Sequence, residues 1–134
     1  MIEPQVSLRL KRVYEPPEPS DGKRILVDRL WPRGLSKREG AVDAWMKEIA
    51  PSTKLRRWFR HDPARWAEFK RRNRREFRAN RFLVREVAEL ASLRRVTLVY
   101  PARDETHNDA RVLATLVRTY VKRAALAKHP VRER

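Results

Sequence analysis

The stretch ILVDRLWPRG, residues 25–34, decides how this chain is interpreted, because an apolar run ends there in a cluster of charged and aromatic side chains. The aliphatic run at its start is typical of a short buried strand. Asp28, Arg29, Trp31 and Arg33 follow, and a proline and a glycine break the strand. Charged groups at the exit of a buried strand commonly lie at the rim of a binding site. We therefore expect Arg29, Trp31 and Arg33 to bind a ligand. The alternative is that Asp28 and Arg29 pair with each other or with a neighbouring loop, and that Trp31 only packs.

Two further strands are predicted around this segment. Alternating apolar residues predict a first strand over about residues 6–14, and VTLVY at 96–100 predicts a third. The second strand covers about residues 24–30. The connection at residues 15–22 is short and proline-rich, so the second strand either forms a hairpin with the first or runs parallel to it after one compressed helical turn. The long helical connection from the second strand to the third predicts that these two are parallel.

Helical periodicity accounts for most of the remaining chain. Ser36 and Glu39 form a capping-box signature, and Asp62 followed by Pro63 is a second helix-start signal. Helices are predicted over about residues 41–49, 63–79, 83–91 and 105–127, and a short helical turn is predicted after Ser52. The fold class is therefore α/β, with a small, mostly parallel, three-strand sheet packed by about four helices. We expect one domain over residues 1–134, with its core at about 6–127 and a frayed tail at 128–134.

Composition excludes several classes of function. The chain has 134 residues, no cysteine and a net charge of +16. Disulfides, thiol nucleophiles and thiolate metal sites are thereby ruled out. No apolar run is long enough to span a bilayer, and the first ten residues lack the pattern of a secretory signal, so we expect a cytoplasmic protein without a membrane partner. The sequence does not determine the oligomeric state.

The excess positive charge is concentrated in one segment. Residues 54–85 hold 13 Lys or Arg against three acidic residues, a local net charge of +10. The helix predicted at 63–79 carries a stripe of Trp66, Phe69, Asn73 and Phe77, and arginines cover its other faces. A nucleic-acid interface is the alternative function of this surface. Its arginines would be Arg71, Arg72, Arg74, Arg75 and Arg78. The competing explanation is a solvated face enriched in arginine by compositional bias.

A second candidate site follows the third strand. Ala102, Arg103, Asp104, His107 and Asn108 lie between that strand and the start of the last helix, where backbone N–H groups attract anions. His107 with Asp104 is the candidate catalytic pair, and Arg103 and Asn108 are candidate ligand-binding residues. The competing interpretation is that these side chains cap the helix and hold the loop.

The two candidate sites meet if the second and third strands are adjacent and parallel. Arg29 and Arg33 would then converge with Asp104 and His107 on one edge of the sheet. Such a basic pocket favours a small anionic ligand that bears phosphate or carboxylate, and whether the protein is also an enzyme stays open. Three histidines without a metal-binding spacing and three glycines without a phosphate-binding loop predict neither a metal nor a cofactor.

Taken together, the motifs resemble those of the YeaO-like family of small bacterial proteins. The resemblance covers about residues 12–116. It rests on VDRLWPRG at 27–34, His61-Asp62-Pro63 and the Asp104 to Asn108 segment, with the tryptophans and phenylalanines between them. It implies a cytoplasmic bacterial protein with a compact α/β fold and supplies no activity. Asn73 replaces an expected tyrosine, and Pro101 replaces an expected small residue. The matching polar positions are Arg29, Trp31, Arg33, His61, Asp62, Asp104, His107 and Asn108.

Overall fold

The computed structural model of the protein describes residues 6–128, and its sheet has four strands rather than the three predicted. Strands β1 (Leu8–Arg12), β2 (Lys23–Leu26), β3 (Ala44–Trp45) and β4 (Val96–Tyr100) lie in the order β1-β4-β2-β3. All three pairings are parallel. The α/β class and the parallel sheet are therefore confirmed, and the number of strands is corrected.

The first two strands are separated by the last one. Leu98 of β4 has Leu10 of β1 on one side and Ile25 of β2 on the other. A hairpin between β1 and β2 is therefore wrong. Neighbouring strands lie about 4.8 Å apart, so the connection crosses only about 10 Å and needs no helix longer than the single 3-10 turn at Pro19–Asp21.

The helix predicted over residues 41–49 is also wrong. Helix α1 (Lys37–Gly40) keeps the predicted capping box but ends at Ala41, whose left-handed φ of 47° stops the helix. β3 and a 3-10 turn at Lys47–Ile49 follow. The chain is extended here because Trp45 packs edge-on against Trp31, with ring centroids 5.5 Å apart, and donates its indole N–H to the carbonyl oxygen of Asp28.

Four longer helices cover one face of the sheet. They are α2 (Thr53–Phe59), α3 (Trp66–Ala79), α4 (Arg81–Leu93) and α5 (Asp109–Lys128). The last three confirm the predicted helices at 63–79, 83–91 and 105–127, with a 3-10 turn at Pro63–Arg65 before α3 and a later start for α5. They pack against alternate sheet residues such as Ile25, Val96 and Leu98, which are fully buried. This packing forms the main hydrophobic core.

The opposite face is covered by loops and holds a buried charge network. The Asp21 carboxylate is inaccessible to solvent and accepts hydrogen bonds from Nζ of Lys11 at 3.1 Å and Nη1 of Arg24 at 2.7 Å. Burial alone would raise the pKa of Asp21. The hydrogen bonds from the Glu18 backbone, Lys11 and Arg24 outweigh that effect and hold the pKa below its ordinary value. The network fastens the 15–22 connection across β1 and β2.

Within residues 6–128, no helix is both long enough and apolar enough to cross a membrane. The predicted frayed tail lies outside the described residues, apart from Lys128 at the end of α5.

Candidate functional site

A cavity of about 850 Å³ opens at the carboxyl-terminal edge of the sheet, between the ends of β2 and β4 and helix α2. In parallel sheets this is the edge at which ligands usually bind. We call it the strand-end cavity. Its charged and amide side chains are Asp28, Arg56, Arg57, His61, Arg103, Asp104, Asn108 and Asp109. Ala50, Pro51, Phe59, Phe69 and Ala102 contribute apolar walls.

Two carboxylates from different elements line the cavity, and each lies in the electrostatic field of the other. Asp28 follows β2, and one of its oxygens accepts a hydrogen bond from the Leu30 backbone N–H at 3.1 Å. Asp109 is the first residue of α5. Burial of its carboxyl, together with the negative charge of Asp28, raises the pKa of Asp109 to about 7, and Arg56 opposes the rise. Asp109 therefore titrates near neutral pH.

Cationic side chains surround these carboxylates. Arg56 is partly buried on α2, whereas Arg57, His61 and Arg103 are exposed. Arg60 and His61 both have left-handed backbone angles, with φ of 51° and 54°. This conformation is strained for residues other than glycine, and such strain concentrates at binding sites. The strained turn ends α2 and places His61 on the cavity wall.

The loop before α5 binds largely to itself. One Asp104 oxygen accepts the backbone N–H groups of Thr106 and His107, each at 2.9 Å, and the other lies 2.8 Å from Nδ1 of His107. The His107 side chain and these backbone donors hold the pKa of Asp104 well below its ordinary value. The His107 ring packs edge-on against Trp66, with centroids 5.2 Å apart. Asn108 is buried and accepts the Arg111 N–H at 3.1 Å, which starts α5.

Three predicted ligand-binding residues point elsewhere. Arg29 donates to the carbonyl oxygens of Ala50 and Pro51, both at 3.2 Å, and so ties the strand exit to the start of α2. The Trp31 indole donates to the Leu35 carbonyl at 2.6 Å, and the Arg33 side chain is exposed. None of these three side chains lines the strand-end cavity. Successive side chains after the end of β2 point to alternate sides. Asp28 and Leu30 line the cavity, and the residues between and after them point away from it.

Of the predicted second site, Arg103, Asp104 and Asn108 line the cavity, whereas His107 reaches it only through its contact with Asp104. Sequence reasoning missed Asp109, Arg56 and Arg57. The one signal in the sequence was the Asn-Asp pair at the start of the last helix, where an acidic residue also has an ordinary capping role. No group of side chains suited to hold a metal ion occurs in the described part of the chain.

The fold and the cavity define a small α/β protein with a charged strand-end pocket, and the comparisons identify its family. The model of the inactive DUF488-N3 subclade matches residues 7–132. The Uncharacterized protein YeaO of Escherichia coli (strain K12) is 43% identical over 114 residues, covering 85% of this chain and 99% of YeaO. The Uncharacterized protein Rv3073c of Mycobacterium tuberculosis (strain H37Rv) is 40% identical over 113 residues, covering 84% and 95%. No solved structure matches. The chain belongs to this YeaO-like family, as its motifs indicated.

Proposed function

We propose that the strand-end cavity binds a small molecule that carries both a phosphate or carboxylate group and hydroxyl groups. The observation that carries this proposal is that Asp28 and Asp109 line the same space of about 850 Å³ as three arginines. A volume of that order accommodates a metabolite-sized ligand. The proposal includes the cytoplasmic location expected from the sequence.

The arginines account for the anionic group. Arg56 and Arg57 come from α2 and Arg103 from the loop before α5, and all three line the same cavity. A guanidinium presents several N–H donors in a planar fork that matches the oxygens of phosphate and carboxylate. Arg57 and Arg103 are exposed and therefore free to turn toward a ligand.

The carboxylates account for the hydroxyl groups. An ionised carboxylate only accepts hydrogen bonds, so Asp28 calls for donors on the ligand. Asp109, with a pKa of about 7, can accept a hydroxyl hydrogen or donate its own proton. An anion without hydroxyl groups would offer neither carboxylate a hydrogen-bond donor of its own. This combination favours a phosphorylated sugar or a hydroxy acid over a bare inorganic anion.

The chemistry of the cavity is compatible with catalysis, whereas the description of the family points away from it. A protonated Asp109 beside Asp28 is suited to general acid–base chemistry. The matching family model is nevertheless described as an inactive subclade, which supports binding without turnover. We therefore propose a binding protein, and catalysis by His107 with Asp104 stays a prediction.

A thermal-shift experiment tests the proposal. The probes are a pentose 5-phosphate, the free pentose, a hydroxy acid and inorganic phosphate. At a ligand concentration about 100 times Kd, binding stabilises the fold by about 2.7 kcal/mol, which raises the Tm by roughly 10 °C. We expect that increase for the pentose 5-phosphate or the hydroxy acid and a much smaller one for the other two.

Substitutions then locate the binding. R56Q and R103Q should remove the ligand-dependent increase in Tm. R38Q, on the exposed surface of α1, removes the same charge outside the cavity and should keep the increase. The proposal is wrong if none of the four probes raises the Tm, or if R38Q weakens the increase as much as the cavity variants do.

A further inference from the structure

The outer face of α3 carries a row of arginines unrelated to the strand-end cavity. We call this row the arginine stripe, and its members are Arg71, Arg74, Arg75 and Arg78. They follow the spacing i, i+3, i+4, i+7, so they share one face of the helix. All four are exposed, whereas Phe69, Asn73 and Phe77, which face the core, are buried.

The acidic residues of α3 leave most of the stripe uncompensated. Glu68 binds Arg71 at 2.6 Å and Arg72 at 2.7 Å. Glu76 accepts hydrogen bonds from the backbone N–H and the hydroxyl of Ser52, so it faces α2. Among the residues that the structure describes, Arg74, Arg75 and Arg78 form no ion pair. Like charges at these spacings destabilise a helix, so the stripe does not serve helix stability.

We propose that the arginine stripe is a docking surface for the phosphate backbone of duplex DNA. A row of exposed, uncompensated arginines attracts polyanions, and nucleic-acid phosphates are the anions that arginine contacts most readily. The stripe spans eight residues, or about 10 Å of helix, and the convex helix that carries it fits a major groove about 12 Å wide.

Other nucleic acids fit this surface less well. Single strands bind through aromatic side chains on which bases stack, and the stripe contains none. Trp58 is half-buried, and the guanidiniums of Arg65 and Arg72 already cover its ring at 5.2 and 4.3 Å. The major groove of double-stranded RNA is too narrow for side chains to read. Contacts between these arginines and the phosphate backbone carry no sequence information, so we expect little preference for sequence.

The experiment measures fluorescence anisotropy of a labelled duplex of about 25 base pairs with the full chain, between about 50 and 200 mM salt. Two variants remove the same amount of charge. R74Q/R75Q/R78Q removes the unpaired part of the stripe, and K37Q/R38Q/K122Q removes exposed charges on α1 and α5. The affinity of the first should fall roughly tenfold or more, and its salt slope should flatten by about 0.9 for each phosphate that the variant no longer neutralises. The affinity of the second should fall much less.

Two further variants control for folding and for the strand-end cavity. R74K/R75K/R78K retains the charge of the stripe, so its affinity and its salt slope should match those of the parent. A variant whose helix is disturbed would not match the parent in either. R56Q should leave DNA binding unchanged, so failure of the proposed cavity ligand has no bearing on this result. Equal decreases in the two charge-matched glutamine variants would overturn the proposal, because binding would then follow net charge alone. Tighter binding of single-stranded DNA or duplex RNA, or no binding near 150 mM salt, would overturn it too.

Discussion

Asp109 occupies the first position of α5, where a negative charge favours a helix, and yet it lies in the field of the Asp28 carboxylate. Burial and that neighbouring charge favour the protonated form, which is why its pKa is about 7 instead of its ordinary value near 3.8. The folded state therefore binds this proton more tightly than the unfolded chain. Between about pH 4 and pH 7, the contribution of Asp109 to the free energy of unfolding falls as pH rises.

D109N is expected to remove that pH dependence. The variant should match the parent near pH 4, where Asp109 is protonated, and should exceed it in free energy of unfolding by about 1–3 kcal/mol at pH 8. Urea denaturation at several pH values measures the difference. An unchanged gap between the two proteins from pH 4 to pH 8 would show that Asp109 titrates normally.

The buried side chain of Asn73 lowers the stability of the fold. Its side chain is inaccessible to solvent, and neither Nδ2 nor Oδ1 has a hydrogen-bond partner among the described residues. A buried amide without partners destabilises the fold, whereas an apolar side chain of similar volume does not. The tyrosine expected here from the family resemblance would carry one polar atom instead of two.

N73L should therefore raise the free energy of unfolding by about 1–2 kcal/mol, measured by denaturant titration. N73D should lower it, because an unpaired charge would then be buried at the same position. A decrease in stability in N73L would mean that the amide is satisfied by bound water and contributes to packing.

At the scale of elements, prediction succeeded where burial and periodicity agreed. The run at 96–100 became β4, and the helices at 63–79 and 83–91 formed near their predicted positions. It failed at 41–49 because Val42 and Trp45 pack against the loop-covered face of the sheet through an extended chain. Apolar residues spaced three and four apart can be buried either from an extended chain or from a helix. The contact with Trp31, which lies in a loop distant in the sequence, decides between the two.

The last helix also differs in detail from its periodicity, which predicts that five residues are buried against the sheet: Leu113, Leu116, Val117, Tyr120 and Val121. Leu113 and Val117 are buried, and Leu116 packs against the core, but Tyr120 is 36% exposed. Val121, the next residue, still packs against the core, so Tyr120 lies at the edge of the buried face. Leu113 is thus the better position at which to test core packing.

L113A should lower the free energy of unfolding by about 2–5 kcal/mol, because a fully buried leucine leaves a cavity when truncated. L126A, at a side chain that is 67% exposed, should change it by less than about 0.5 kcal/mol. Guanidinium denaturation of both variants provides the comparison. Equal decreases in the free energy of unfolding of the two variants would mean that Leu126 is buried in an interface with another chain.

At the scale of the whole molecule, the location of the candidate site was predictable and most of its residues were not. Adjacent parallel strands bring the ends of β2 and β4 to one edge, as the strand pattern predicted, but Asp28 lines the cavity with Asp104 in place of Arg29 and Arg33. Arg56 reaches that edge on α2, and Asp109 on α5. Their placement depends on how the helices pack across the sheet, and no local pattern encodes that. Arg29 seemed suited to a ligand and instead binds two backbone carbonyls.

The strand order has a consequence for synthesis of the chain. β4 lies between β1 and β2, and it is the last strand to be made. On the ribosome, β1 and β2 therefore wait without their common partner until residues 96–100 have left the exit tunnel. Pairings between such distant segments form slowly and expose strand edges meanwhile. The nascent chain up to α4 thus exposes the edges of β1 and β2, and the sheet closes only after β4 has emerged.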